Sequence, residues 1–147
     1  MKKYLNPFRL TTCLLLLYCF GHTSGALVST PHFGSASDAV LSAMRSVHFQ
    51  AGGSECTWYG FYLGFGYQVS IFFLFSAFVT WFLGGRSLRE QRAWAPVWAL
   101  FVSWVASTFL ALRWFFLPPA VFSSLITVLL GLQSIRLSRP LPAESAE

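Results

Sequence analysis

Four runs of apolar residues, each close to the length that crosses a bilayer, constrain this chain more than any motif it carries. They are LTTCLLLLYCFGHTSGALV from Leu10 to Val28, WYGFYLGFGYQVSIFFLFSAFVTWFL from Trp58 to Leu83, a third from Ala93 to about Leu112, and a fourth that follows Pro118 and ends near Ile135. About 20 residues of helix span the hydrocarbon core. No Lys, Asp or Glu interrupts the runs, and Arg113 falls at an end. The expected fold is an all-α membrane protein, a four-transmembrane-helix bundle over residues 1–139. Its spans lie at about 10–28, 58–83, 93–112 and 119–135, and residues 140–147 form a disordered cytoplasmic tail.

Composition supports that reading. Only 10% of residues are charged, against about 25% in a soluble domain, and 18% are aromatic. The net charge of +5 does not make a nucleic-acid surface. Such a surface needs Lys and Arg gathered on one wet face, whereas here they punctuate apolar runs. Eight of the ten fall on one side: Lys2, Lys3, Arg9, Arg86, Arg89, Arg92, Arg136 and Arg139. By the positive-inside rule both termini and the 84–92 loop are cytoplasmic. Residues 29–57 and the turn at Arg113 then face outward. Trp58 and Trp114 mark the outer interface, Trp81 and Trp94 the inner one. Gly84-Gly85 closes span two, Ser87 and Glu90 have capping-box spacing, and Pro118-Pro119 suits the first turn of span four. Lys2-Lys3 before an apolar core and TSGA also fits a signal peptide; we expect the first span to be retained.

The outward segment holds most of the residues with reactive side chains. SASDAVLSAMRSVHF reads as a short interfacial helix with Ser35 and Asp38 at capping-box spacing. Its stripe of Val40, Leu41, Met44 and Val47 turns toward lipid or the bundle. GGSECT reads as loop and entry to span two. His22, His32 and His48 are ten and sixteen residues apart, which is not the close spacing of a metal motif, so no metal or other cofactor is expected. Cys13 and Cys19 lie on different helix faces, Cys56 stands alone, and a thiol-exchange centre does not follow. No phosphate loop, nucleophile elbow or carboxylate pair occurs. Ion-coupled transport calls for charged groups within the membrane, and among the span residues Gln68 and His22 stand out as polar. An enzyme is not the expectation.

Small residues are expected to hold the helices together, because lipid provides no hydrophobic drive between them. Span two carries Gly60 and Gly64 in a GxxxG arrangement, with Gln68 one turn on. Span three offers Ser103 and Ser107, and span four Gly131. The expected use of these faces is packing within the bundle. Homodimerisation or opening to an apolar ligand are the alternatives. A ligand would sit between spans one and two, near His22, His48, Tyr62 and Gln68.

The pieces GHTSG (Gly21, His22, Gly25), AMRSVHFQAGG and FYLGFG (Phe61, Tyr62, Gly64, Phe65, Gly66) resemble a family of small four-span bacterial inner-membrane proteins. The likeness covers about residues 21–84. It implies a multi-pass protein of the bacterial inner membrane and groups His22, His48 and FYLGFG in one outer-side assembly. That family has no assigned activity, so no catalytic residue carries over. The expected role is non-catalytic: binding an apolar or lipid-like ligand, or docking a membrane protein partner as an accessory subunit. The lipid bilayer is its medium, and no nucleic acid is involved.

Overall fold

A computed structural model describes residues 6–29, 32–86 and 94–138. Helix α1 runs Pro7–His22 and continues as a π-helical turn over Thr23–Val28. Helix α2 (Ser35–Ser46) and the strands β1 (His48–Ala51) and β2 (Ser54–Thr57) follow. The long helices α3 (Trp58–Gly84), α4 (Trp94–Trp114) and α5 (Leu117–Ser138) complete the chain. Four helices are long and apolar enough to cross a membrane: Pro7–Val28, Trp58–Gly84, Ala95–Trp114 and Leu117–Ser138. They pack together, with the short helix and a hairpin between the first and second. The Ser87/Glu90 capping box, the basic residues of the loop after Arg86, the Lys2-Lys3 pair and the C-terminal tail lie outside the described residues, as does the side chain of Trp94.

Local chemistry explains most boundaries. Thr57 caps α3, its hydroxyl accepting the Gly60 N–H at 3.0 Å, which satisfies one of the orphan donors of a first turn. Pro118 and Pro119 fall in the first turn of α5. Two expectations for the outward segment need correction. Gly34, not Ser35, precedes α2 at φ 98°, and no side chain caps the helix; Asp38 instead complements the dipole from the first turn and lies 3.4 Å from His32. GGSECT is not simply loop. Gly52 (φ 58°) and Gly53 (φ 82°) make a two-residue turn between paired Ala51 and Ser54. Glycine adopts both positive φ values without strain, as a type I′ hairpin requires.

The chain divides into two compact units, residues 17–74 and residues 1–16 with 75–147. In the second of these the core is Phe8, Leu83, Val97 and Leu137, with Val79 against it. On α5 the buried residues Ile126, Leu130, Gln133 and Leu137 recur at alternating steps of four and three, the seam spacing of a left-handed helix pair. Asn6 ties two helix ends together. Its Oδ1 accepts the Phe8 N–H at 3.0 Å, and its Nδ2 donates to the Gly84 carbonyl at 2.8 Å. One side chain thereby satisfies a donor that opens α1 and an acceptor that closes α3.

The same unit contains a ring of interhelical hydrogen bonds. Thr12 meets Thr80 at 2.9 Å, joining α1 to α3. Trp104 donates to Ser76 at 3.3 Å, joining α4 to α3. Thr108 meets Thr127 at 2.8 Å, joining α4 to α5. Gln133 donates to Thr11 at 3.1 Å, joining α5 to α1. Each such bond in a membrane is worth about 0.6 kcal/mol on average. Together they fix the rotation of each helix against its neighbours.

Candidate functional site

Within residues 17–74, the π-helical turn and the first half of α3 bring together the most chemically varied group of side chains in the spans. The turn has a local cause: Ser24 donates its hydroxyl to the Phe20 carbonyl at 2.7 Å, and Ser29 does the same to Gly25 at 2.8 Å. Hydroxyls that bond back along a helix compete with backbone donors and loosen it. The backbone answers with an i→i+5 bond from the Ser29 N–H to Ser24. Such wide turns recur at functional sites.

Ser70, buried on α3, is the hub. Its Oγ lies 3.1 Å from His22 Nδ1 and 2.9 Å from the Thr23 hydroxyl, and its carbonyl accepts the Cys19 thiol at 3.6 Å. Ser70 has one hydroxyl hydrogen, and the Gly66 carbonyl at 3.4 Å is a further acceptor for it. Either Ser70 donates to an unprotonated Nδ1 while Thr23 donates to Ser70, or a protonated Nδ1 donates to Ser70, which then donates to Thr23 or to Gly66. Phe73 meets the His22 ring edge-on at 5.6 Å and stacks on Tyr18 at 4.4 Å. Among the described residues no carboxylate takes part. The cluster can hold His22 in one orientation through neutral hydroxyls. Among the described residues no group of three His, Cys, Asp or Glu could hold a metal ion.

The close approach between the first span and α3 lies at Gly66. A methyl there would overlap the Leu27 side chain, and Tyr62 donates its hydroxyl to the nearby Ala26 carbonyl at 3.0 Å. Among the described residues, a methyl added at Gly64 meets nothing within 4 Å and one at Gly60 meets Thr57, at the start of the same helix. Gly66 stands two residues from Gly64, which on a helix is roughly 200°, the opposite face. Gln68 shares the Gly64 side: it is exposed and forms no hydrogen bond to a described residue. Of the four residues expected around a ligand, His22 and Tyr62 border this seam and Gln68 faces away from it.

His48 lies elsewhere, on the hairpin. Its Nδ1 is 2.8 Å from Glu55 Oε1, both side chains being more than half exposed. They border an open cleft of about 520 Å³ with Cys56, Thr57, Gly60 and Phe61. Phe49 packs there against Trp58 and Phe61, at ring separations of 4.8 and 5.6 Å.

The other expected packing residues divide as well. Gly131 lies against Phe101, where an added methyl would come within 2.9 Å of the ring. Ser107 is half-buried and bonds to the Ser103 carbonyl, while Ser103 is exposed and bonds back to Ala99. The sequence reading passed over Gln133, which is 2% exposed and whose Oε1 has no partner. Its position on the α5 seam was the available signal. No family model, curated protein or solved structure matches the chain. What stands is a small four-span membrane protein.

Proposed function

We propose that this protein is a non-catalytic interaction subunit of a bacterial inner membrane, with both termini cytoplasmic, and that it docks a further transmembrane helix on the α3 face carrying Gly60, Gly64 and Gln68. Gln68 carries the reading. It stands ten residues into α3, about 15 Å from the helix start, in the outer half of a hydrocarbon layer about 30 Å thick. A primary amide left unpaired in that layer costs several kcal/mol. An incoming helix that supplies a partner group offsets this cost, and the side-chain-free Gly64 one turn away lets its backbone come close. The positive-inside distribution of Lys and Arg supports the orientation.

A ligand held between the first span and α3 finds less support, because Leu27 fills the space over Gly66. A lipid-like ligand remains the second reading only for the Gln68 face, where its polar group would meet the same amide. Native mass spectrometry from mild detergent tests both. A dimer or a co-purifying membrane protein, lost in Gln68→Leu and Gly64→Leu without loss of thermal stability, is the expected result. A monomer that retains a lipid-like mass, released by Gln68→Leu, transfers the proposal to the ligand. A monomer free of both ends it.

A further inference from the structure

Helix α2 is amphipathic, yet none of its residues is buried. Val40, Leu41, Met44 and Val47 share one stripe; Val40 is 62% exposed, and Phe33 just before the helix is 78% exposed. The helix is tethered at both ends to membrane-crossing segments, the first ending at Val28 and the second starting at Trp58. Arg45 sets its level. The guanidinium lies 4.5 Å over the Tyr59 ring and donates to the Tyr59 hydroxyl at 3.3 Å, and Tyr59 is the second residue of α3. The last turn of α2 is thus held beside the first turn of a span, at headgroup depth.

We propose that the apolar stripe of α2 inserts into the lipid leaflet on the side of residues 29–57, and that this seating responds to lipid packing rather than to lipid charge. The polar face carries the argument. It presents Ser35, Ser42 and Ser46 with a single Asp38 and a single Arg45, a net charge of zero. Lys/Arg-rich surface helices bind anionic headgroups; a helix without that charge binds through buried apolar area, which depends on gaps between the chains it enters. Asp38 near the start and Arg45 near the end also offset the helix dipole, so no residual charge remains to steer the helix.

Nitroxide labels at Val40, Met44, Ser42 and Ser46, introduced singly after Cys13, Cys19 and Cys56 are replaced by alanine, report depth in proteoliposomes. Oxygen should relax the labels at 40 and 44 several-fold more than a water-soluble nickel complex does, with the order reversed at 42 and 46. The contrast should be larger in dioleoyl- than in dipalmitoyl-phosphatidylcholine, and unchanged by 30% phosphatidylglycerol or 0.5 M salt. Equal nickel access at 40 and 42 overturns the insertion. Labels at 40 and 44 reached by neither reagent overturn it in favour of a protein cover. A response to phosphatidylglycerol overturns the packing dependence. Hydrogen exchange of residues 35–47 in the unaltered protein, across the same lipids, gives the same test without substitution: slower exchange in the dioleoyl bilayer is expected, and equal rates refute the dependence.

Discussion

Gly66→Ala is the most informative single change, because sequence and structure disagree about which glycine the fold requires. The added methyl overlaps Leu27, itself only 6% exposed. Inserting a methyl into a filled contact costs about 1–3 kcal/mol. Part is recovered, since the obstacle is the end of a flexible side chain and Ala is favoured over Gly in a helix by about 1 kcal/mol. The net expectation is a loss of about 1 kcal/mol within a range of about 0–2, roughly a fivefold shift in the unfolding equilibrium. Leu27→Ala removes the obstacle, so in a double-mutant cycle the pair should be less destabilising than the sum of the singles by about 1–2 kcal/mol. Gly64→Ala meets nothing within 4 Å and should be neutral or slightly stabilising. Equilibrium unfolding in mixed detergent–SDS micelles measures all four proteins. A Gly66→Ala variant as stable as the parent with no coupling to Leu27, or a Gly64→Ala variant weaker than Gly66→Ala, would refute the displaced seam.

Other expectations follow from the hydrogen-bonded ring and from sidedness. Thr11→Val leaves buried Gln133 with neither end bonded and should cost about 1–3 kcal/mol; adding Gln133→Leu should restore part of it in the same micelle assay, and a further equal loss would count against the pairing. Ser76→Ala removes the hydroxyl that accepts the indole N–H of Trp104, which is 0% exposed, for a loss of about 1 kcal/mol; an unchanged unfolding midpoint would deny that bond a role. In intact cells an impermeant maleimide should label Cys56 on the hairpin, while a Gly85→Cys site in a Cys56→Ala background should react only after permeabilisation. The reverse pattern would invert the proposed orientation.

The spans were legible because hydropathy and length answer to the bilayer alone: Trp58 and the Pro118-Pro119 pair mark real helix starts. Rotational register was not legible. Gly60, Gly64 and Gln68 form a tidy stripe in sequence, but the contact face of α3 is chosen by what the first span presents, Leu27 over Gly66 and His22 with Thr23 at Ser70. Those partners lie about 40–50 residues away, and the shape of Leu27 cannot be read from α3. The ring at Thr11, Thr12, Ser76, Thr80 and Gln133 was missed for a related reason, since a hydroxyl in an apolar run bonds equally well to its own helix. The hairpin was a different kind of miss. Gly52-Gly53 before SECT is a readable turn signal, but strands of four residues on either side are too short to show a clear alternation.

Polar groups within these spans differ in whether the chain alone can satisfy them, and that difference bears on function. A proton or ion carrier needs ionisable groups that hand charge from one to the next. Here His22 is held by Ser70, a neutral hydroxyl, with Thr23 as the next neighbour. Thr11, Thr12, Thr80 and Trp104 are likewise engaged across helices, and engaged neutral groups act as adhesion. Gln68 differs because its side chain is exposed and forms no hydrogen bond to a described residue. In hydrocarbon that arrangement is the least favourable for an amide, and it improves only when another molecule supplies a hydrogen-bond partner. That need is what supports the proposed docking surface on the Gly64–Gln68 side of α3 over the group around His22 and Ser70.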